Sequence, residues 1–518
     1  MFHPLPPRKA LLQATLLLLI VEIVGFGVYA RQLGFYHDDW PLLEQMSSAP
    51  GYWARVKMQT ATAAVFRLPQ ILVWPLVYAG AGSAPLPHHL VAMALDWLGA
   101  VALYLLLCRL LGRPRLALAA AAFAILHPSH PATHHWWVNA SCQPPAQALA
   151  LASLILFTFW LEARARAWLA AAAAAYLLSL LWYESSAFLP LMLAPAILEQ
   201  ARRDGLRWGA AAARTARALA PLAAPLAAAL AIQSYVLPLL SGVPHPKGVT
   251  LSPAWTATVL RSGLESLTLE TFKLCRITMR PAFAFFTDAQ SILWALFTFA
   301  VAAALARKDS KDRPTTLGRA TWVALATFLG AYAPYALSGA YEPQIVGIMS
   351  RTNGAGALAG ALLLAALIEG LSESAWAARL IPRRPLGAAL TAMVIGAFTW
   401  TDWYIAHLWA EAWTVQNLIV AGIDTRKAAL PPDAFVLLKA PEHLNGAPLF
   451  SAAWDFSSAL RLKTGRKDLT GDILKAGMSS EKEGVVHRAG GQVLKVYPYK
   501  DLFMYSHEES RLYRLTPP

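Results

Sequence analysis

Long apolar runs recur along most of this chain, separated by short breaks that carry Arg, Pro or Gly. A helix rises about 1.5 Å per residue, so roughly 20 apolar residues cross the hydrocarbon of a bilayer. On that measure the pattern predicts spans at 10–30, 88–110, 115–127, 144–161, 167–182, 186–199, 217–237, 291–306, 320–338, 353–371 and 386–407. Several are short for a full crossing. Those flanking Pro128 and Glu184 are expected to enter a water-filled cavity, where polar ends are tolerated. The run 66–81 is apolar but broken by Pro69 and Pro75, and is predicted to lie on or dip into the outer leaflet. The mixed stretch 253–280 is expected along the surface. Beyond His407 charges become frequent, and the runs 434–438 and 491–497 look strand-like.

Composition agrees with this pattern. The chain is 57% hydrophobic and 14% charged, where soluble domains carry about 25% charged residues. The expected fold class is therefore an all-α polytopic membrane protein of about 11 helices, with a small extracytoplasmic α/β region at its C-terminal end. Residues 1–406 form the transmembrane domain, with extracytoplasmic loops 31–87, 128–143 and 238–290, and 407–518 form the C-terminal domain. The net charge of +14 does not point to nucleic acid, because the basic residues punctuate the apolar runs. No cleavable signal is evident at the first run. Cys108, Cys142 and Cys275 have neither metal spacing nor a disulfide framework.

The same basic residues set the orientation. With the N-terminus inside, cytoplasmic segments hold Arg8, Lys9, Arg109, Arg113, Arg115, Arg307, Lys308, Lys311, Arg313, Arg319, Arg379 and others. The bias over the opposite loops, which include Lys247, is roughly two to one and implies an odd number of spans. Asp38, Asp39, the stretch from His127 to His135, Glu184, Arg351 and the C-terminal part then share the extracytoplasmic side.

Four polar clusters converge there: His37-Asp38-Asp39-Trp40; His127-Pro128-Ser129-His130 with His134, His135 and Trp136; Trp182-Tyr183-Glu184-Ser185; and Ser350-Arg351-Thr352-Asn353, joined by Arg67 and His89. Ionisable groups at membrane depth are costly, so each merits a functional hypothesis. Adjacent carboxylates repel, which fits Asp38 or Asp39 as a general base. The alternative for them is a turn that ends a helix. Arginine matches phosphate oxygens as a planar fork. His127 before Pro128 also fits a helix cap, and Glu184 fits a pair with a neighbouring helix. His134-His135 have no third ligand nearby in sequence, so no metal site is expected.

The order of these motifs resembles the GT-C superfamily of membrane glycosyltransferases, on the side of the protein O-mannosyltransferase-like branch and its bacterial relatives. An acidic pair follows the first span, then come Arg67-Leu68-Pro69, His89, a His-Pro-x-His element, Glu184 with Pro190, and Arg351 heading a late span. The resemblance covers about residues 10–370. It implies a polyprenyl-phosphate-sugar donor, an inverting single displacement, an extracytoplasmic acceptor (glycan, lipid or protein) and a bacterial inner membrane. Asp38 or Asp39 matches the base. Arg67, His127 and Arg351 match positions near the donor and its phosphate, and Glu184 matches a cavity acid. His37, His89, His130 and His134 complete the polar lining. No cofactor is called for, and a divalent cation is the one addition the acid pair allows. Relatives often carry a Glu where this chain has Ala132, and no tetratricopeptide region follows. The alternatives are a transporter or flippase of lipid-linked glycan, or a scaffold subunit that kept the fold without activity.

Overall fold

The computed structural model describes residues 2–243, 249–285, 287–306, 317–373, 383–490 and 492–518. Lys247, Arg307, Lys308, Lys311, Arg313 and Arg379, used above for orientation, lie outside the described residues. The described chain is mostly helical up to Asp424 and rich in strands after it.

Among the described residues, six helical stretches are long and apolar enough to cross a membrane: Arg8–Gly27, Pro85–Leu111, Trp137–Ala163, Trp208–Ser241, Leu317–Ser338 and Gly347–Glu373. Four shorter apolar helices, Leu68–Ala81, Pro114–Ile125, Arg166–Trp182 and Ala289–Ala303, stand beside them. With the long helix Arg383–Asp424 these stretches leave the expected count of eleven spans unconfirmed. One expected span is locally irregular. The run expected at 186–199 is broken into the 3₁₀ turns Glu184–Ser186 and Leu189–Leu193 before the ten-residue helix Ala194–Arg203. Pro190 and Pro195 remove two ladder donors there. Gly330 on the facing helix lets its backbone press on the Phe188 carbonyl, which covers the irregular segment.

Proline and glycine punctuate the bundle as their backbone chemistry requires. Pro85, Pro114 and Pro144 sit in first turns, where the missing N–H is no loss. Gly112, at φ 65°, closes Pro85–Leu111 in the left-handed conformation. The helices then run antiparallel and bring chemically distinct residues to the two ends.

Two expectations need correction. The stretch 253–280 is a nearly continuous helical rod from Pro253 to Phe285 with a π turn at Ser266–Glu270. It packs into the bundle: Gly263 meets the Tyr332 ring, and Thr278 shares a 3.1 Å hydrogen bond with Thr401. The span expected to end at 407 also continues, to Asp424. Buried Trp409, Ala412, Gln416, Ile419 and Ile423 keep a helical period through the charged stretch.

The C-terminal part holds a four-stranded sheet in the order Thr470–Ile473, Phe435–Lys439, Leu502–Ser506, Arg511–Arg514. The first three strands are parallel and the last antiparallel. Helix Ala453–Thr464 makes the crossover between the first two strands in sequence. A separate antiparallel sheet joins Met478–Glu481, Gly484–Ala489 and Gln492–Pro498. The crossover helix packs on helix Asp39–Ser48, and the Arg461 guanidinium grips both oxygens of Glu44. The C-terminal part is thereby fixed against the acid motif.

Candidate active site

The first helix ends in a π turn at Ile23–Gly27, and the chain then swings through His37 at φ 48°. A non-glycine residue in the left-handed region is uncommon and marks a forced turn. That turn separates the fates of the two adjacent carboxylates.

Asp39 points inward and is fully buried. Its Oδ2 accepts from the Tyr36 amide at 2.9 Å, and its Oδ1 from the Val138 amide at 2.8 Å. Both oxygens are committed to holding the backbone. They are therefore not placed to share a divalent cation with Asp38. Asp38 points into open space. Its Oδ1 takes both nearby donors, His37 Nδ1 at 3.0 Å and the Trp454 indole at 3.1 Å, and leaves Oδ2 without a protein donor. Burial alone would raise its pKa. The hydrogen bond and charge of His37, the Trp454 indole and the Arg351 charge outweigh burial and hold it below the usual carboxylate range. Burial pushes Asp39 the other way, well above that range, against the pull of its two amides. Two neighbouring carboxyls driven apart in this way leave one ionised acceptor, Asp38.

A cavity of about 690 Å³ opens beside Asp38, within the size range of small-ligand sites. Its wall includes Arg67, Trp136, Asn139, Tyr183, Glu184, Tyr341 and Arg351. Arg67 lies just ahead of helix Leu68–Ala81, and its guanidinium covers the Tyr183 ring at 4.8 Å. The helix is pinned there: Gln70 donates to the Trp182 carbonyl at 2.9 Å and Trp74 to Ser141 Oγ at 2.8 Å. Arg351 sits in the 3₁₀ turn Gly347–Asn353 and lies over both Trp136 and Tyr341, at 5.2 and 5.4 Å. That turn is tied to the His loop, with the Ala132 amide on Ser350 Oγ at 3.0 Å and the Asn353 amide on the Ser129 carbonyl at 3.0 Å. Among the described residues, neither guanidinium has a hydrogen bond or an ion pair. Both lie within electrostatic reach of Asp38, and Arg67 also of Glu184.

The structure thus brings together Asp38, Arg67, Glu184 and Arg351, and places His37 between Asp38 and the Trp136 ring, stacked at 5.6 Å. The other predicted residues stand elsewhere. His127, expected beside the donor, lies against Gly360 and Phe398 in the helical core, because the His-Pro turn ends its helix inside the bundle. His89 caps the Gly34 carbonyl at 3.0 Å. His130 and His134 face each other at 3.3 Å between their Nε2 atoms. Burial holds His130 down at about 4 and His134 well below the ordinary imidazole range. None of these four lines the cavity.

Sequence reasoning missed Trp454, whose indole reaches the base from 416 residues away and which carries no local signal. It also missed Glu22, Asp96 and Asp402. These did carry a signal, since each is a single acid inside an apolar run.

No family model matches this chain, and no curated protein does. Among solved structures the fold is similar to the crystal structure of ArnT from Cupriavidus metallidurans bound to undecaprenyl phosphate, with 14% identity over 86% of this chain and 84% of that chain and a TM-score of 0.40. A likeness of that size leaves the function to be read from the side chains of this chain itself.

Proposed function

We propose that this protein is a GT-C-type membrane glycosyltransferase that moves a sugar from a polyprenyl-phosphate carrier to an extracytoplasmic acceptor. One observation carries the reading: two arginines laid on aromatic faces, with no hydrogen-bonded partner among the described residues, line one cavity with an ionised carboxylate whose second oxygen is unengaged. Guanidiniums with unused donors suit an anion, and a phosphate fits their forked donors.

The proposed step is a single displacement. Asp38 Oδ2 accepts the proton of the acceptor hydroxyl as the acceptor oxygen bonds to the anomeric carbon. The bond from that carbon to the phosphate oxygen breaks on the opposite face, so configuration inverts. The electron pair stays on the phosphate, where Arg67 and Arg351 stabilise the developing charge. His37 and Trp454 hold the base, and Trp136 and Tyr183 offer flat faces to a sugar ring. Glu184 is the acid placed to contact the acceptor. The charge bias along the chain supports an inner-membrane protein with a cytoplasmic N-terminus and the cavity on the extracytoplasmic face.

The test is transfer from a polyprenyl-phosphate sugar in liposomes. Asp38→Asn should cut turnover by about 10²–10⁴-fold with donor affinity nearly unchanged. Wild-type turnover in Asp38→Asn sinks the reading. Movement of intact lipid-linked glycan without cleavage by the wild-type protein replaces it with transport.

A further inference from the structure

We infer that Glu22, Asp96 and His134 form a divalent-cation site of the zinc class, distinct from the cavity of Asp38 and independent of the sugar-transfer reading. The three residues come from the first helix, helix Pro85–Leu111 and the His turn at 132–135. Each offers one ligand atom, and these atoms lie within 4.8 Å of one another. Asp96 Oδ2 is 3.8 Å from His134 Nδ1. Bonds of 2.0–2.1 Å in a tetrahedron place ligand atoms roughly 3.3 Å apart, so a small closure of side chains completes the site.

The second observation is electrostatic. Glu22 is 1% exposed, and neither of its carboxylate oxygens has a donor. What faces it is another carboxylate, Asp96, whose Oδ2 is also without a donor. Asp402, buried on the long helix, is a third carboxyl within electrostatic reach. Among the described residues no Lys or Arg pairs with Glu22 or Asp96. Carboxylates at membrane depth need a compensating charge. A divalent cation bound by two of them makes a neutral unit.

The surroundings fit a metal ligand set. With the proton of His134 on Nε2, directed at His130 Nε2 3.3 Å away, Nδ1 keeps its lone pair for the ion. Phe26 stacks on the His134 ring at 3.8 Å and 13°, which fixes its plane. Phe26 belongs to the π turn that follows Glu22, a distortion frequent at functional sites. A cavity of about 20 Å³ borders Asp96 and His130 and has room for one water beside the site. One imidazole and two carboxylates suit zinc among common divalent ions. Trp136 follows the His turn directly, so the cation would brace the wall on which Arg351 and His37 rest.

The experiment is metal analysis of the full-length protein in detergent, supplied with Zn²⁺ and then desalted. Wild type should hold about one zinc per chain, and Glu22→Gln and Asp96→Asn at least tenfold less. Asp38→Asn should keep its zinc while losing transfer, which separates failure of this site from failure of the catalytic reading. Should the acid variants not fold, wild type alone decides. A chelator should lower its melting midpoint, and Zn²⁺ but not Mg²⁺ should restore it. Wild type that retains less than roughly a tenth of an equivalent, or Asp96→Asn that retains as much as wild type, overturns the site in favour of carboxyls that share protons.

Discussion

At one end of the helical bundle Arg109, Arg113 and Arg319 each meet a glutamate: Glu162 at 2.6 Å, Glu369 at 2.5 Å and Glu199 at 2.5 Å. At the other end Arg67 and Arg351 lie on aromatic rings, with Asp38 and Glu184 within electrostatic reach but in no hydrogen-bonded ion pair among the described residues. The side chain is the same and the task differs. A paired arginine ties two helix ends, as Arg319 does by also donating to the Leu110 carbonyl at 3.0 Å. Its donors are used up in doing so. An arginine laid on a ring gains about 0.5–2 kcal/mol and keeps its donors available. One end locks its arginines into ion pairs, and the cavity end leaves their hydrogen-bond donors for a ligand.

Substitutions at the two ends should therefore fail in different ways. The largest effect is expected at Asp38, where Asn removes the base and the loss appears in turnover, not in donor binding. Next is Arg351→Ala. Donor affinity, measured by titration with a polyprenyl-phosphate sugar, should fall about 10–100-fold with an unchanged melting midpoint. Arg351→Lys should recover only part, since an ammonium lacks the planar fork. Donor affinity at the wild-type value in both variants would make Arg351 an interfacial anchor. Arg319→Ala should do the reverse. Stability should drop by about 1–3 kcal/mol, because Glu199 and the Leu110 carbonyl lose a partner, while donor affinity per folded molecule stays constant. A matching loss of donor affinity would dissolve the distinction between the ends.

The smallest effect concerns Trp454. Its indole is one of the groups that hold Asp38 below the usual carboxylate range. Asp38 is therefore ionised at neutral pH, and activity that depends on it is lost only as pH falls through that depressed value. Trp454→Phe removes one hydrogen bond to the charged form, so the acid limb of kcat/KM should move up, by under about one pH unit. A limb that moves down, or a change in turnover with no shift of the limb, would separate Trp454 from the base.

The parts of this picture visible in the chain have local causes. Apolar length predicted most helices from 10–30 to 353–371, and the short strand-like runs 434–438 and 491–497 match the strands Phe435–Lys439 and Gln492–Pro498. Asp38, Arg67, Glu184 and Arg351 were all named from polar residues at the ends of apolar runs, and the fold brings them to one cavity. Where periodicity weakened, the expectation slipped. The rod beginning at Pro253 read as surface because its inward residues are the small and polar Gly263, Ser266 and Thr278. The helix ending at Asp424 read as shorter because Glu411 and His407 suggested a membrane boundary.

The sequence by itself determined which residues are too costly to bury without a purpose, since the expense of a charge in an apolar run depends only on its neighbours along the chain. It did not determine what any of them touch. Asp38 and Asp39 are adjacent and chemically identical, and only the turn at His37 made one a backbone clamp and the other an unengaged carboxylate. His127 and His134 sit within eight positions of each other in one His-rich stretch, yet one packs on Phe398 and the other faces Asp96. Hydrogen bonds and ion pairs reach only a few ångströms, so the partners that decide a side chain's role, such as Trp454 for Asp38 or Glu22 for His134, are set by how distant helices pack.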